Sequence, residues 1–288
     1  MIPREFDYHA PQTLPDALAL LNQFGDVAKV LAGGHSLLPM MKMRFAQPGH
    51  LIDIGRIPDL RGIREEGGKL RIGAMTTHNE LIWSKLLAEK CPLLVEATRL
   101  IADPQVRYRG TIGGDICHGD PGNDHPALML ALGASFVLRS QAAERIVGAD
   151  GFFVGTYATL MQPDEIMTEI RVPVPAPHTG YCYAKLKRKI GDFATAASAV
   201  TLNMQGAKVQ AVAIALTNVA PTVLRARAAE DSLCGKVLDD AAIAEAARLA
   251  MSICDPAPDQ RGDAEYKTAM AGEMTRRALR TALTRTRH

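Results

Sequence analysis

Apolar residues are spaced in more than one way along the chain, and each spacing predicts a different element. Leu14, Ala17, Leu18, Leu21 and Phe24 recur at helical spacing, which predicts an amphipathic helix over 13–24 opened by Thr13 and Pro15. The apolar runs at 27–32 and 50–55 read instead as strands, so residues 1–56 form a small βαβ-like unit. Between Arg61 and Ile72, alternation about Gly67-Gly68 predicts a surface hairpin. Thr77 caps a helix through Leu81, Ile82 and Leu86, and 92–101 reads as another. A strand at 135–139, a segment opening at 151–155 and an extended run at 163–173 complete a middle unit, 57–177. Three prolines between Pro173 and Pro177 mark its end. Beyond them, apolar runs at 181–189, 196–204 and 211–219 with short turns predict a three-stranded antiparallel meander. Helices starting near Asp239 and Asp263 finish a third unit, 178–288, and the whole is of the α+β class.

Two glycine pairs interrupt this pattern where chemistry is expected. The first is Ala32-Gly33-Gly34-His35-Ser36-Leu37, between a strand and a helix that Ser36 is placed to cap. The second is Thr111-Ile112-Gly113-Gly114-Asp115, followed by His118 through Pro126, where Asp124 is placed to cap a helix. Glycine can take positive φ and lets an anionic group approach several N–H donors, so the pair of turns predicts a phosphate cradle. The bland alternative is a structural corner. Gly67-Gly68, with charged flanks, serves as an internal control. Neither turn is a Gly-x-Gly-x-x-Gly or a Gly-x-x-x-x-Gly-Lys-Ser/Thr loop, which disfavours a dinucleotide βαβ site and a Walker site. Asp53 reads as structural and His35 as a loop donor or packing group.

Composition removes other classes. Lys+Arg 33 against Asp+Glu 31 gives a net charge of +2, and aromatics make up 5%, so nucleic acid is not the expected partner. The acidic residues at the start of the chain are unlike a signal peptide, and no apolar run is long enough for a bilayer. The expectation is a soluble cytoplasmic protein. Cysteines at 91, 117, 182, 234 and 254 lack metal spacing, so no metal site is expected here and any iron–sulfur centre belongs to a partner. No Ser/His/Asp set is evident, and no catalytic residue is assigned. The basic tail of Arg276, Arg277, Arg280, Arg285 and Arg287 reads as a solvated helix end.

With these turns the chain resembles the FAD-binding subunits of the molybdenum hydroxylases, the xanthine dehydrogenase family. The likeness extends through Phe6 to Pro11, Tyr183-Ala184-Lys185, Asp192-Phe193-Ala194, and Tyr266 with Arg276 to Leu279. The stretch from Gly114 to Pro126 is most similar to the carbon monoxide dehydrogenase branch. Commoner relatives carry Asn or Ser at the Asp115 position and an apolar or aromatic residue at His125.

The resemblance implies an FAD-binding fold of the vanillyl-alcohol-oxidase type, two α/β subdomains, with a C-terminal subdomain. It implies that the two glycine segments bind FAD, together with Ile101, Asp124, Met167 and Lys185. Lys187 shares the strand parity of Lys185, so the register between them stays open. A cation beside the ring would stabilise negative charge on the reduced flavin and raise its potential. The implied partners are a large subunit with the molybdenum cofactor and a small one with two 2Fe–2S clusters, in a dimer of heterotrimers. Electrons would arrive from the nearer cluster and leave through FAD to an external acceptor, with possible peripheral attachment to the inner membrane through that acceptor. The alternatives are the FAD subunit of another molybdenum hydroxylase, a free-standing flavin oxidase, and a nucleotide- or phosphate-sensing module.

Overall fold

The computed structural model describes residues 2–286; the expectation for Arg287 lies outside them. The N-terminal unit runs β1 (Asp7–His9), α1 (Leu14–Phe24), β2 (Ala28–Leu31), α2 (Leu37–Lys42) and β3 (His50–Asp53). Its three strands are parallel in the order β1-β3-β2, so α1 and α2 are the crossovers. The Thr13 side chain accepts from the Asp16 N–H, and α1 buries Leu14, Ala17, Leu18 and Leu21 as its spacing requires. Strand β1 was not predicted, because three polar residues carry no apolar signal. Asp53 holds the loop after β3, accepting from the Gly55 N–H and from the Tyr8 hydroxyl.

The middle unit begins with β4 (Ile63–Glu66) and β5 (Lys69–Gly73), the predicted hairpin. Gly67 and Gly68 both have positive φ, and a Cβ on either would meet open space. Six helices follow: α3 (His78–Trp83), α4 (Lys85–Lys90), α5 (Pro92–Thr98), α6 (Pro104–Arg109), α7 (Ile112–His118) and α8 (Asp124–Ala131). Thr77 opens α3 with a full capping box to Glu80. The single helix expected from Thr77 to Leu86 is two helices. Ser84 is extended and its hydroxyl caps the second. Helix α6 was not predicted, although Asp103 caps it and Pro104 opens it.

Strands β6 (Ser135–Arg139), β7 (Glu144–Gly148), β8 (Phe153–Gly155), β9 (Ala158–Thr159) and β10 (Ile166–Pro173) complete this unit. Its main sheet is antiparallel in the order β4-β5-β10-β6-β7. The third sheet contains β11 (Gly180–Leu186), β12 (Ala196–Gln205), β13 (Lys208–Thr217) and β14 (Leu224–Arg225). Its first three strands are the predicted meander, and the two-residue β14 extends it. Helices α9 (Arg227–Leu233), α10 (Asp240–Met251) and α11 (Ala264–Arg285) cover it.

Helix α8 joins the middle unit to this sheet. All eight of its residues are buried, and Leu128 and Met129 share one core with Ala199, Ala213 and Ala215. A helix apolar all round is an interior helix. Burying each large side chain contributes about 2 kcal/mol, so α8 ties the site-bearing segments on either side of it to the fold. At the far end Arg276 and Arg277 pair with Glu273, and Arg280 with Asp240, all at the surface. Arg285 differs: it stacks over Tyr181 and pairs with Glu96, fastening α11 to the middle unit. Among the described residues no helix is long and apolar enough to cross a membrane.

Candidate functional site

A cleft of about 480 Å³ opens where the three units meet. That volume is within the range of cofactor sites. The segment after β2 supplies Ala32 to Leu37, the start of α7 supplies Thr111, Gly113, Gly114 and Asp115, and Ile101, Asp124, Met167 and Lys185 close the cleft from other elements. The residues singled out from the sequence therefore converge, with one exception. Ile112 is fully buried and packs into the main core, because its place in the first turn of α7 turns it away from the cleft.

The glycines act otherwise than expected. Of the four in the two turns only Gly34 has positive φ; Gly113 and Gly114 are helical, with the Thr111 hydroxyl as N-cap to the Gly114 N–H. What the turns require is the absence of a side chain. A Cβ on Gly33 would lie 2.3 Å from the Arg109 carbonyl oxygen, and one on Gly113 would lie 2.7 Å from that of Ala74. The second turn is also stitched down by Ile112 N–H to Thr76 O and Gly113 N–H to Ala74 O. The two glycine segments thus press backbone against backbone and form one continuous wall.

Helix caps differ too. Ser36 precedes α2 but makes no side-chain cap bond. Asp124 is the first residue of α8, and Asn123 holds the cap position without a side-chain cap bond, its amide donating instead to the Asp115 carbonyl. The Asp124 carboxylate is engaged elsewhere: Tyr183 donates to Oδ1 at 2.5 Å and Lys185 Nζ to Oδ2 at 2.7 Å. Lys185 also donates to the Leu100 carbonyl, and its side chain is 1% exposed. Burial pushes the Asp124 carboxyl above its ordinary value, while the Lys185 ammonium and the Tyr183 hydroxyl draw it back. Burial and the adjacent carboxylate keep the Tyr183 phenol protonated. Lys185 lines the cleft; Lys187 lies past the end of β11 and does not.

A second polar group lies behind the α7 wall. Asp115 Oδ2 accepts from His125 Nδ1 at 2.6 Å, and His125 is fully buried. The Thr98 hydroxyl, which reaches the Leu94 carbonyl, lies 3.1 Å from His125 Nε2, so both ring nitrogens are engaged. Burial opposes ionisation of Asp115, yet the His125 hydrogen bond holds its carboxyl below the usual range. His78, beside them, was missed from the sequence. It reads there as an ordinary first-turn helix residue, yet it lines the cleft. Tyr157 and Phe193 line it as well, and Met167 meets Cys117 sulfur to sulfur at 3.8 Å.

The profile of the FAD binding domain in molybdopterin dehydrogenase matches residues 4–175, more than half of the chain. The chain belongs to that family. The profile of the CO dehydrogenase flavoprotein C-terminal domain matches residues 181–282 of this FAD subunit. It is 60% identical over 285 residues to the carbon monoxide dehydrogenase medium chain of Hydrogenophaga pseudoflava, covering 99% of both chains. It is 54% identical over 288 residues to that of Afipia carboxidovorans, covering 100% of both. The solved carbon monoxide dehydrogenase from H. pseudoflava that lacks the Mo-pyranopterin moiety superposes with a TM-score of 0.98 at 62% identity, over 99% of each chain.

The cleft fits FAD on its own terms. It joins a side-chain-free double wall, suited to a pyrophosphate, to an apolar stretch at Ile101 and Met167, suited to a ring system. The buried ammonium of Lys185 completes it.

Proposed function

We propose that this chain is the FAD-carrying medium subunit of a carbon monoxide dehydrogenase-type molybdenum hydroxylase. The observation that carries the reading is the convergence of both glycine segments, Ile101, Met167 and Lys185 on one cleft, in a chain matching such medium chains end to end. Bound FAD would supply the ability to take up and release electrons one or two at a time. The chain's own residues do the rest. Gly33 and Gly113 keep the walls close enough for backbone N–H groups to hold the pyrophosphate. Ile101 and Met167 exclude water beside the ring, and Lys185, held by Asp124, keeps a fixed positive charge in the cleft.

On this reading a large subunit carries the molybdenum cofactor and oxidises the substrate, and a small subunit with two 2Fe–2S clusters delivers electrons here. The assembly is a dimer of heterotrimers in the cytoplasm, reaching the membrane through its electron acceptor. The end-to-end match to carbon monoxide dehydrogenase medium chains favours the carbon monoxide branch.

Gentle purification from the native source tests the proposal. FAD, iron and molybdenum in one fraction, with carbon monoxide reducing an added dye, are expected. FAD without metals would turn the reading to a free-standing flavoprotein, and a folded complex without flavin would end it.

A further inference from the structure

The loop joining β11 to β12 reaches two walls of the cleft. Gly191, at positive φ, rests on the Ala102 turn, where a Cβ would lie 3.4 Å from the Ala102 carbonyl. Phe193 rests on the opposite turn, since a Cβ on Gly122 would lie 3.3 Å from its ring. Gly191, Asp192 and Phe193 all line the cleft, and Phe193 is 47% exposed there. The base of the loop is closed by the Thr195 N–H to the Leu186 carbonyl at 2.8 Å and by the Asn218 amide to the Ala194 carbonyl at 2.6 Å.

The rest of the loop is held from the third unit. Asp192 is buried, and two arginines grip it: Arg261 donates to Oδ1 at 2.8 Å and Arg188 to Oδ2 at 3.0 Å. These hydrogen bonds, that of Arg261 foremost, hold the Asp192 carboxyl down to about 2, so the grip stays charged at any ordinary pH. The Phe193 N–H returns to Asp192 Oδ1 at 2.9 Å, and the Arg261 guanidinium lies over the Phe193 ring, 5.6 Å from its centroid. Arg188 also donates to the Gln260 carbonyl. Arg261 is itself rooted: its N–H donates to Asp259, which pairs with Lys267, a buried lysine near the start of α11 that also donates to the Ala257 carbonyl. An ion pair that merely fastened two surface loops would contribute little. Here one guanidinium holds both the carboxylate and the ring beside it, and that ring belongs to the cleft.

We propose that Arg261 is a positioning residue: it fixes the loop 187–193 so that Phe193 stands across the cleft mouth, and the third unit thereby sets how fast FAD enters and leaves. This rests on the FAD reading of the cleft. Releasing the arginine frees the middle of the loop while its base stays tied to the sheet. A loop that moves aside lowers the barrier to entry and to exit alike. Loss of a contact to bound FAD acts on exit alone.

The test is stopped-flow flavin fluorescence on the intact complex, read as FAD rebinds after its removal and as bound FAD is released. The native protein is compared with Arg261→Gln, Arg261→Lys, Phe193→Ala and the double variant Arg261→Gln with Phe193→Ala. Arg261→Gln is expected to raise association and dissociation rates by about tenfold each, the scale of one charge-assisted hydrogen bond, and so to leave Kd nearly unchanged. Arg261→Lys, which keeps a cation for Asp192, should fall between native and Gln. Phe193→Ala should raise both rates, and adding Arg261→Gln to it should change them little, because the arginine acts through that ring. Faster release with unchanged association would overturn the proposal, as would native rates in Arg261→Gln or an undiminished effect of Arg261→Gln in the Phe193→Ala background. Should Arg261→Gln not fold, Arg261→Lys and Phe193→Ala decide: both rates raised in each supports the proposal, and native rates in either overturns it. Failure of the native complex to rebind FAD at all would instead remove the FAD reading itself.

Discussion

Asp115 and His125 are joined at 2.6 Å across the back of the cleft, one on α7 and the other on α8. Two polar residues of the Gly114–Pro126 stretch are therefore one interaction. His125 is fully buried and its Nδ1 is held by the Asp115 carboxylate. Asp115→Asn weakens the bond that satisfies this buried ring and is expected to cost about 1–3 kcal/mol. Replacing both, Asp115→Asn with His125→Phe, removes the buried ring nitrogens along with their partner and is expected to recover most of the loss. Denaturant midpoints of the single and double variants measure the coupling. Additive losses would show that the pair is not a unit.

The close approach of Gly33 to Arg109 makes a sharper prediction than backbone freedom does. Even alanine at Gly33 would collide with a carbonyl oxygen, and valine at Gly113 with the backbone of Ala74. Gly33→Ala and Gly113→Val are expected to lower both melting temperature and flavin content. Gly67→Asn, at an exposed positive-φ turn that Asn tolerates, should change neither. Flavin per mole of purified complex, alongside a thermal melt, gives the comparison.

Lys185 and Asp124 form a second buried pair, in the cleft itself. Lys185→Met strands a buried carboxylate and is expected to destabilise by about 3 kcal/mol, less if Asp124 takes up a proton. Asp124→Asn added to it should restore stability without restoring the positive charge. The flavin midpoint potential is then expected to stay below that of the native protein, because the charge favouring the reduced form is gone. A native potential in the double variant would show that Lys185 does not face the flavin.

His78 adds a dependence on pH. Burial brings its folded pKa down to about 4, below the ordinary 6.5, so between those values the unfolded chain binds a proton that the native protein refuses. Stability from this group is full above pH 6.5 and declines as pH falls to about 4, by a ceiling of about 3 kcal/mol. His78→Gln should flatten the stability curve in that window. Imidazole ¹⁵N shifts give a direct check: His78 is expected to stay largely unprotonated between pH 7 and 5, where an ordinary histidine titrates.

Local patterns carried much of this structure into the sequence. The helix starts at Thr13, Thr77, Asp239 and Asp263 and the hairpin at Gly67-Gly68 rest on neighbouring residues, and all formed as expected. Elements with a weak local signal, β1, α6, β7, α9 and β14, went unread. The site was legible as a set of segments through family resemblance, while its physics was not. Gly33 and Gly113 look like positive-φ glycines until Arg109 and Ala74 are seen against them. Asp124 looks like a helix cap until Tyr183 and Lys185, distant in sequence, claim its oxygens. His78 carries no signal in one dimension, because what marks it is burial beside His125 in three.

The central claim is that electrons leave the complex through FAD held by this chain. The most direct measurement removes the flavin from the intact complex and follows two signals under carbon monoxide: iron–sulfur bleaching and reduction of an external acceptor. The account predicts that the clusters are still reduced, that acceptor reduction falls to background, and that added FAD restores it. Undiminished acceptor reduction by the flavin-free complex would contradict it.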